Sequence, residues 1–111
     1  MEVNQYQKEA VRTINMDLTD IQQLQNGLMG LNGEAGEALD ILKKHLFQGH
    51  KLDETHVIKE LGDVAWYLAV SAYAIGVDLE KIFQLNIDKL RERYPEGFDS
   101  ELSQYRKKGD I

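Results

Sequence analysis

Hydrophobic residues recur along this chain at intervals of three and four, the spacing of amphipathic helices. Val3, Tyr6, Ala10 and Ile14 begin the pattern, and it continues almost to the end of the chain. It predicts four helices, over about residues 3–15, 21–47, 54–75 and 79–93. Only one proline is present, and runs typical of strands are few. The predicted fold class is therefore all-α, with a protomer resembling a four-helix bundle.

Residues that favour helix ends lie at the predicted boundaries. Thr19 or Asp20 is expected to cap the second helix, Asp53 the third and Asp78 the fourth. Gly76 suits the position just after the third helix. The fourth helix is expected to stop at a tyrosine–proline pair, residues 94–95.

Glycine occupies every third position in the middle of the second predicted helix, at Gly27, Gly30, Gly33 and Gly36. Each glycine costs a helix about 1 kcal/mol relative to alanine. The series therefore indicates that another backbone or a ligand comes close to this helix. The alternative is that the helix breaks near Gly33 and restarts with Asn32 as its cap.

The third predicted helix is apolar on most sides, so it should lie at the centre of the bundle or be covered by a partner chain. Trp66 is expected to belong to its core. The second helix also carries an apolar stripe, made of Ala35, Ala38, Leu39, Leu42 and Leu46. Because a chain of 111 residues buries only about two-thirds of its surface alone, we expect a homo-oligomer.

Composition narrows the classes of function. The chain carries 19 acidic and 13 basic residues, a net charge of -6, which argues against nucleic-acid and membrane-surface partners. It has no cysteine, which excludes disulfides and thiolate metal sites. The N-terminus is polar and no apolar run approaches about 20 residues, so neither a signal peptide nor a transmembrane span is expected, and a cytoplasmic location is predicted. We expect a single domain over residues 1–98, followed by a polar tail over 99–111.

Two pairs of carboxylates carry the candidate chemistry. Glu34 and Glu37 lie three residues apart on the second predicted helix, and Glu60 and Asp63 repeat that spacing on the third. Residues three apart share a helix face, so the two helices can direct four carboxylates at one point. Each close pair repels by about 1 kcal/mol even in water. Such a cluster predicts a hard cation with oxygen ligands, Mg²⁺ or Mn²⁺.

A di-iron centre is the competing metal site, but it requires Glu-x-x-His pairs. None occurs here, and His45, His50 and His56 are interpreted as surface or packing residues.

A polar stripe follows on the fourth predicted helix, where Asn86, Lys89 and Arg93 share one face. Alone, this stripe would be interpreted as solvated. Beside an acidic metal cluster, it is typical of a clamp for phosphate oxygens. Tyr67 lies four residues after Asp63 and could stack on a base, although such aromatic residues more often belong to a core.

These motifs resemble a known family. The two acidic pairs are separated by 22 residues, and the pattern resembles the signature of the all-α nucleoside triphosphate pyrophosphohydrolases, especially the MazG-like proteins. Three flanking blocks agree with it: Lys43-Lys44, residues 59–68 and residues 86–95. The resemblance covers about residues 6–98.

The resemblance implies an oligomeric MazG-like fold, a tetramer more than a dimer. It implies Mg²⁺-dependent hydrolysis of nucleoside triphosphates to monophosphate and pyrophosphate, with Mn²⁺ as a possible substitute. The implied metal ligands are Glu34, Glu37, Glu60 and Asp63. Of these, Glu37 and Glu34 are the candidates for orienting the attacking water. The implied substrate ligands are Lys44, Asn86, Lys89, Arg93 and Tyr67. The alternative is a non-catalytic helical adaptor or nucleotide sensor.

Overall fold

The computed structural model describes residues 1–111, and all of its regular structure is helical. The helices are α1 (Val3–Val11), α2 (Asp20–Phe47), α3 (Glu54–Ala74), α4 (Leu79–Arg93) and α5 (Ser100–Gln104). This confirms the all-α prediction and adds a fifth helix within the segment expected to be a polar tail. The chain divides into two compact units, residues 1–79 and residues 80–111. None of the helices combines the length and the apolar character that crossing a bilayer requires.

Helix α1 is four residues shorter than predicted, because it ends at Val11 and not at residue 15. The carbonyl of Ala10 accepts a 2.7 Å hydrogen bond from the Thr13 hydroxyl and a 3.0 Å bond from the Thr13 backbone N–H. The Asn15 side chain then accepts the backbone N–H of Asp17 at 3.0 Å. These local bonds compete with the helical ones, and periodicity alone does not reveal them.

Helix α2 runs without interruption through all four glycines, which excludes the predicted alternative of a break near residue 33. Its first turn is closed by a capping box. The Thr19 hydroxyl accepts the Gln22 N–H at 3.2 Å, and the Gln22 side chain accepts the Thr19 N–H at 3.0 Å. Thr19 is thus the cap, one of the two residues predicted for that position.

Close packing between α2 and α3 explains two of the four glycines. A Cβ added at Gly30 would overlap the ring of Tyr67, and one added at Gly27 would overlap the side chain of Ser71. Helix α3 therefore comes close at these two positions, but mainly through side chains, where the prediction named another backbone or a ligand. At Gly33 and Gly36 a Cβ would meet nothing within 4 Å.

Helix α3 is the centre of the first unit, as its apolar surface predicted, since both α1 and α2 pack against it. Asp53 caps its first turn by accepting the His56 N–H at 3.0 Å. At its other end Gly76 adopts a φ of 72°, and the Val77 N–H returns to the carbonyl of Ala72 at 2.9 Å. This is the glycine-terminated helix end that the sequence predicted.

The core of this unit is small. Ala10, Ala69 and Leu79 are buried together, with Val3, Tyr6, Trp66 and Leu68 packed around them. Trp66 belongs to this group, as expected, and its indole N–H donates to the Thr13 hydroxyl at 2.8 Å. By contrast, the apolar stripe of α2 is largely open to solvent in the single chain, with Leu39 65% exposed and Leu46 60% exposed.

The buried side chain of Gln7 ties α1 to the end of α3. Its amide nitrogen donates to the carbonyls of Ala69 and Val77, at 3.3 and 3.0 Å, and its amide oxygen accepts the Leu79 N–H at 2.9 Å. These bonds satisfy polar backbone groups that would otherwise be buried without partners.

Candidate metal centre

Packing of α2 on α3 brings together Glu34, Glu60 and Asp63. One carboxylate oxygen from each lies within 4.8 Å of the other two. The glycine contact explains why the helices are close enough here. Glu34 is one turn after Gly30, and Asp63 is one turn before Tyr67, which packs on that glycine. Glu34 and Glu60 are half-buried, and Asp63 is exposed.

The charges of this cluster are not balanced by the protein. Oε2 of Glu60 is buried and has no hydrogen-bond donor while Glu34 is ionised, so a bond between the two carboxyl groups forms only when one of them is protonated. The pKa of Glu34 is raised to about 7, first by a hydrogen bond to Glu60, then by partial burial and by the charges of Glu60, Asp63 and Glu37. The cluster therefore requires either a shared proton or a cation. Three hard oxygen donors, one of them otherwise unpartnered, fit a hard divalent ion such as Mg²⁺ or Mn²⁺.

Glu37, the fourth predicted ligand, is exposed and lies outside the three-carboxylate cluster. Its negative charge nevertheless reaches Glu34 and contributes to the raised pKa of that carboxyl group. The structure therefore groups three of the four predicted ligands and leaves the fourth at the margin. The assignment of all four to metal stays a prediction.

Two further residues are close enough to interact with the cluster, and the sequence did not indicate either of them as part of the site. The exposed ring of His56 places Nε2 at 3.1 Å from Oε1 of Glu60, which leaves the buried Oε2 free. The spacing of four residues between them on one helix was the available signal. From α1, the Tyr6 hydroxyl has a raised pKa, caused by burial and then by the charge of Asp63. The sequence pattern places Tyr6 in an apolar stripe and indicates no role beside the carboxylates.

The predicted substrate ligands of the first unit have protein partners. Lys44 and Lys43 both pair with Asp40, at 3.1 and 3.2 Å, on an exposed part of α2. Tyr67 packs over Gly30 and stands edge-on to Trp66, with ring centroids 4.9 Å apart. Tyr67 therefore has a packing role in the structure, while substrate contact by Tyr67 and Lys44 stays a prediction.

The predicted ligands of the second unit lie along α4. Asn86 is exposed. Lys89 donates from Nζ to the carbonyl oxygen of Ile111 at 2.8 Å, and Arg93 forms a two-bond ion pair with Asp110. Their roles toward substrate stay predictions.

Comparisons with known proteins agree with this architecture. Residues 22–98, more than half of the chain, match the MazG nucleotide pyrophosphohydrolase domain. Gene 37 protein of Mycobacterium phage L5 is 36% identical over 85 residues, an alignment that covers 73% of this chain and 75% of that protein. No solved structure matches the chain. The matched range includes every carboxylate of the cluster and ends before α5.

Proposed function

The chain belongs to the MazG nucleotide pyrophosphohydrolase family, and from that membership we propose that it hydrolyses nucleoside or deoxynucleoside triphosphates to monophosphate and pyrophosphate. The cluster of Glu34, Glu60 and Asp63 carries the proposal, because its three carboxylates and the buried, unpartnered oxygen of Glu60 fit a cation. The proposed cation is Mg²⁺, with Mn²⁺ as a substitute, and the proposed role is the removal of unwanted nucleotides from the pool.

In this proposal Glu34, Glu60 and Asp63 hold the metal, with Glu37 beside them on the next turn of α2. Bound metal lowers the pKa of a coordinated water and neutralises developing charge on phosphate oxygens. His56 would hold Oε1 of Glu60 and leave the buried Oε2 available to the metal. This second contact restricts the carboxylate to one orientation.

Glu37 is the proposed carboxylate that orients the attacking water. It is exposed, lies within electrostatic reach of Glu34, and is not engaged in the cluster. Glu34 is the other candidate, because it is one of the carboxylates that would hold the metal beside the attacking water. The water would attack the α-phosphorus in line with the departing pyrophosphate.

Cationic and polar groups outside the cluster would receive the leaving group. Lys44, Lys89 and Arg93 are the proposed ligands of the β and γ oxygens, with Asn86 at phosphate or sugar and Tyr67 beside the base. The chain has no Gly-x-x-x-x-Gly-Lys-Ser/Thr loop, so a phosphate cradle of that kind is not available. Cleavage between the α and β phosphates is the reaction that fits a carboxylate cluster for metal and a separate set of basic side chains for the leaving pyrophosphate.

A second copy of this chain is the proposed partner, in a tetramer more than a dimer. The exposed apolar stripe of α2, with Leu39 and Leu46, supports this part of the proposal. Nucleic-acid and membrane partners are not expected for a chain of net charge -6, and a cytoplasmic location stays a prediction of the sequence.

Phosphorus NMR of the products tests the proposed reaction. We expect monophosphate and pyrophosphate in equal amounts, dependent on Mg²⁺. A β,γ-methylene triphosphate should still be cut, whereas an α,β-methylene analogue should bind without turnover. Diphosphate and orthophosphate as first products would refute the proposal, and binding without any turnover would favour the sensor.

The metal ligands are tested by Glu60→Gln and Asp63→Asn, with Glu54→Gln on the same helix as the matched control. Loss of a ligand should lower kcat by at least about 100-fold, more than loss of a supporting residue does. Helix content measured by circular dichroism should not change. Full activity in both ligand variants would place the site elsewhere.

A further inference from the structure

The unit formed by residues 80–111 contains a basic cavity of about 310 Å³. It is bounded by the last turns of α4 and by the segment after α5. Its lining has two carboxylates and five cationic side chains, Lys89, Arg93, Arg106, Lys107 and Lys108. In a chain with a net charge of -6, this is a local excess of positive charge. Three of the five cations lie beyond residue 98, outside the matched family domain.

One carboxylate is already seated in this cavity. Asp110 accepts two hydrogen bonds from Arg93, at 2.8 Å from Nε and 2.7 Å from Nη2. The side chains are only 10% and 16% exposed, for Arg93 and Asp110 respectively. Paired bonds to one guanidinium are the geometry that arginine also offers to phosphate. The Asp110 carboxylate therefore occupies a position that a phosphate group would fit.

Cationic side chains other than Arg93 also favour a negative charge at the position of Asp110. Hydrogen bonding to Arg93 lowers the pKa of Asp110, and the charges of Arg93, Arg106 and Lys89 lower it further. Lys89 reaches the same segment through the carbonyl of Ile111. A turn holds the segment in place, since the Asp110 N–H donates to the carbonyl of Lys107 at 3.1 Å around Gly109, whose φ is 90°.

We propose that this cavity binds a pyrophosphate group, and that Asp110 is an internal substitute which occupies Arg93 until that group arrives. The inference rests on the proposed function, which supplies the anion as the β and γ phosphates of the substrate or as free product. A cavity of about 310 Å³ is at the lower end of ligand sites, so it suits this group more than a whole nucleotide. Pyrophosphate carries more charge than one carboxylate and can contact several cations at once.

Exchange of the Asp110 carboxylate for pyrophosphate at Arg93 gives the tail, residues 99–111, a regulatory function. While Asp110 is bound, ligand must compete for Arg93, which weakens its apparent affinity. When pyrophosphate is bound, Asp110 and the turn around Gly109 are released.

Binding of inorganic pyrophosphate to the full chain tests this inference directly. Calorimetry in excess EDTA keeps metal out, so the carboxylate cluster does not contribute. We expect Asp110→Asn to bind pyrophosphate about tenfold more tightly than the unsubstituted protein. Glu101→Gln, the same chemical change on α5, should leave the affinity unchanged. Equal or weaker binding by Asp110→Asn would overturn the inference.

A second measurement requires no variant and is independent of folding defects. Addition of pyrophosphate to the unsubstituted protein should shift the amide NMR signals of Gly109 and Asp110. Unmoved signals at saturation would overturn the inference.

An α,β-methylene triphosphate that shifts the same signals identifies substrate as the source of the anion, and a response to pyrophosphate alone identifies product. Turnover is scored separately: pyrophosphate binding without hydrolysis would refute only the proposed function, and hydrolysis without these shifts would refute only the tail site.

Discussion

At the scale of the residue, the Glu34 carboxyl group determines how the metal cluster responds to pH. Its pKa is about 7 in the folded protein, against an ordinary value of 4.5 for this side chain. Between these values the folded chain binds more protons than the unfolded chain. The stability contributed by protonated Glu34 is therefore fully present below pH 4.5 and is lost as the pH rises through about 7.

This proton competes with metal, which gives the first prediction. We expect Mg²⁺ to raise the Tm more at pH 8, where Glu34 is ionised and repelled, than at pH 6, where a proton already relieves the repulsion. Thermal denaturation with and without Mg²⁺ at the two pH values measures the effect. In Glu34→Gln the metal-free Tm should depend less on pH over this interval. An equal Mg²⁺ effect at both values in the unsubstituted protein would contradict the prediction.

The sequence was sufficient to find the carboxylates but not their grouping. Spacing within a helix shows which residues share a face, and that was enough for Glu34, Glu60 and Asp63. It does not show which turn of one helix meets which turn of another, so Glu37 was not distinguished from its neighbours. His56 was interpreted as a surface or packing residue because the chain has no Glu-x-x-His pair, and its spacing of four residues from Glu60 was not considered.

At the scale of the element, the contact between α2 and α3 sets the geometry of the cluster. Gly30 should not tolerate a side chain, because its Cβ would overlap the Tyr67 ring. Gly30→Ala should cost about 1–3 kcal/mol of unfolding free energy, the usual range for overpacking. Urea denaturation at fixed protein concentration measures it.

Gly36→Ala is the matched control, since a Cβ there meets nothing within 4 Å. It should stabilise the chain by up to about 1 kcal/mol through helix propensity. Equal effects from the two substitutions would show that close packing at Gly30 does not explain its glycine.

The sequence predicted the extent of α2 better than the end of α1 or the presence of α5, and each difference has a physical reason. The apolar periodicity of α2 persists across the glycines, and packing on α3 accounts for two of them, so the helix is continuous. The end of α1 depends on Thr13 and Asn15, whose side chains bond to nearby backbone. Helix α5 is only five residues long and is capped by Asp99, whose side chain accepts two backbone N–H groups. Such short capped turns carry little periodic signal.

At the scale of the whole molecule, the apolar stripe of α2 predicts association between copies of the chain. Leu39 and Leu46 are mostly exposed in the single chain. We expect light scattering at micromolar concentration to give a mass above that of the 12.7 kDa monomer. Leu39→Glu should lower this mass by placing a charge in the interface, while Lys51→Glu in the exposed α2–α3 loop should not. A monomeric mass for the unsubstituted protein would contradict the prediction.

The buried amide of Gln7 has a consequence for folding kinetics. It joins α1 to backbone groups 62 to 72 positions later in the chain, so its bonds form only after a long loop has closed. Docking of α1 is thus expected late in folding, after the more local α2–α3 hairpin. Because the Leu79 N–H donates to Gln7, its rate of exchange with deuterated solvent reports how often α1 detaches. The exchange rate of one backbone hydrogen, at residue 79, therefore reports the detachment of α1 from its place 72 positions earlier in the chain.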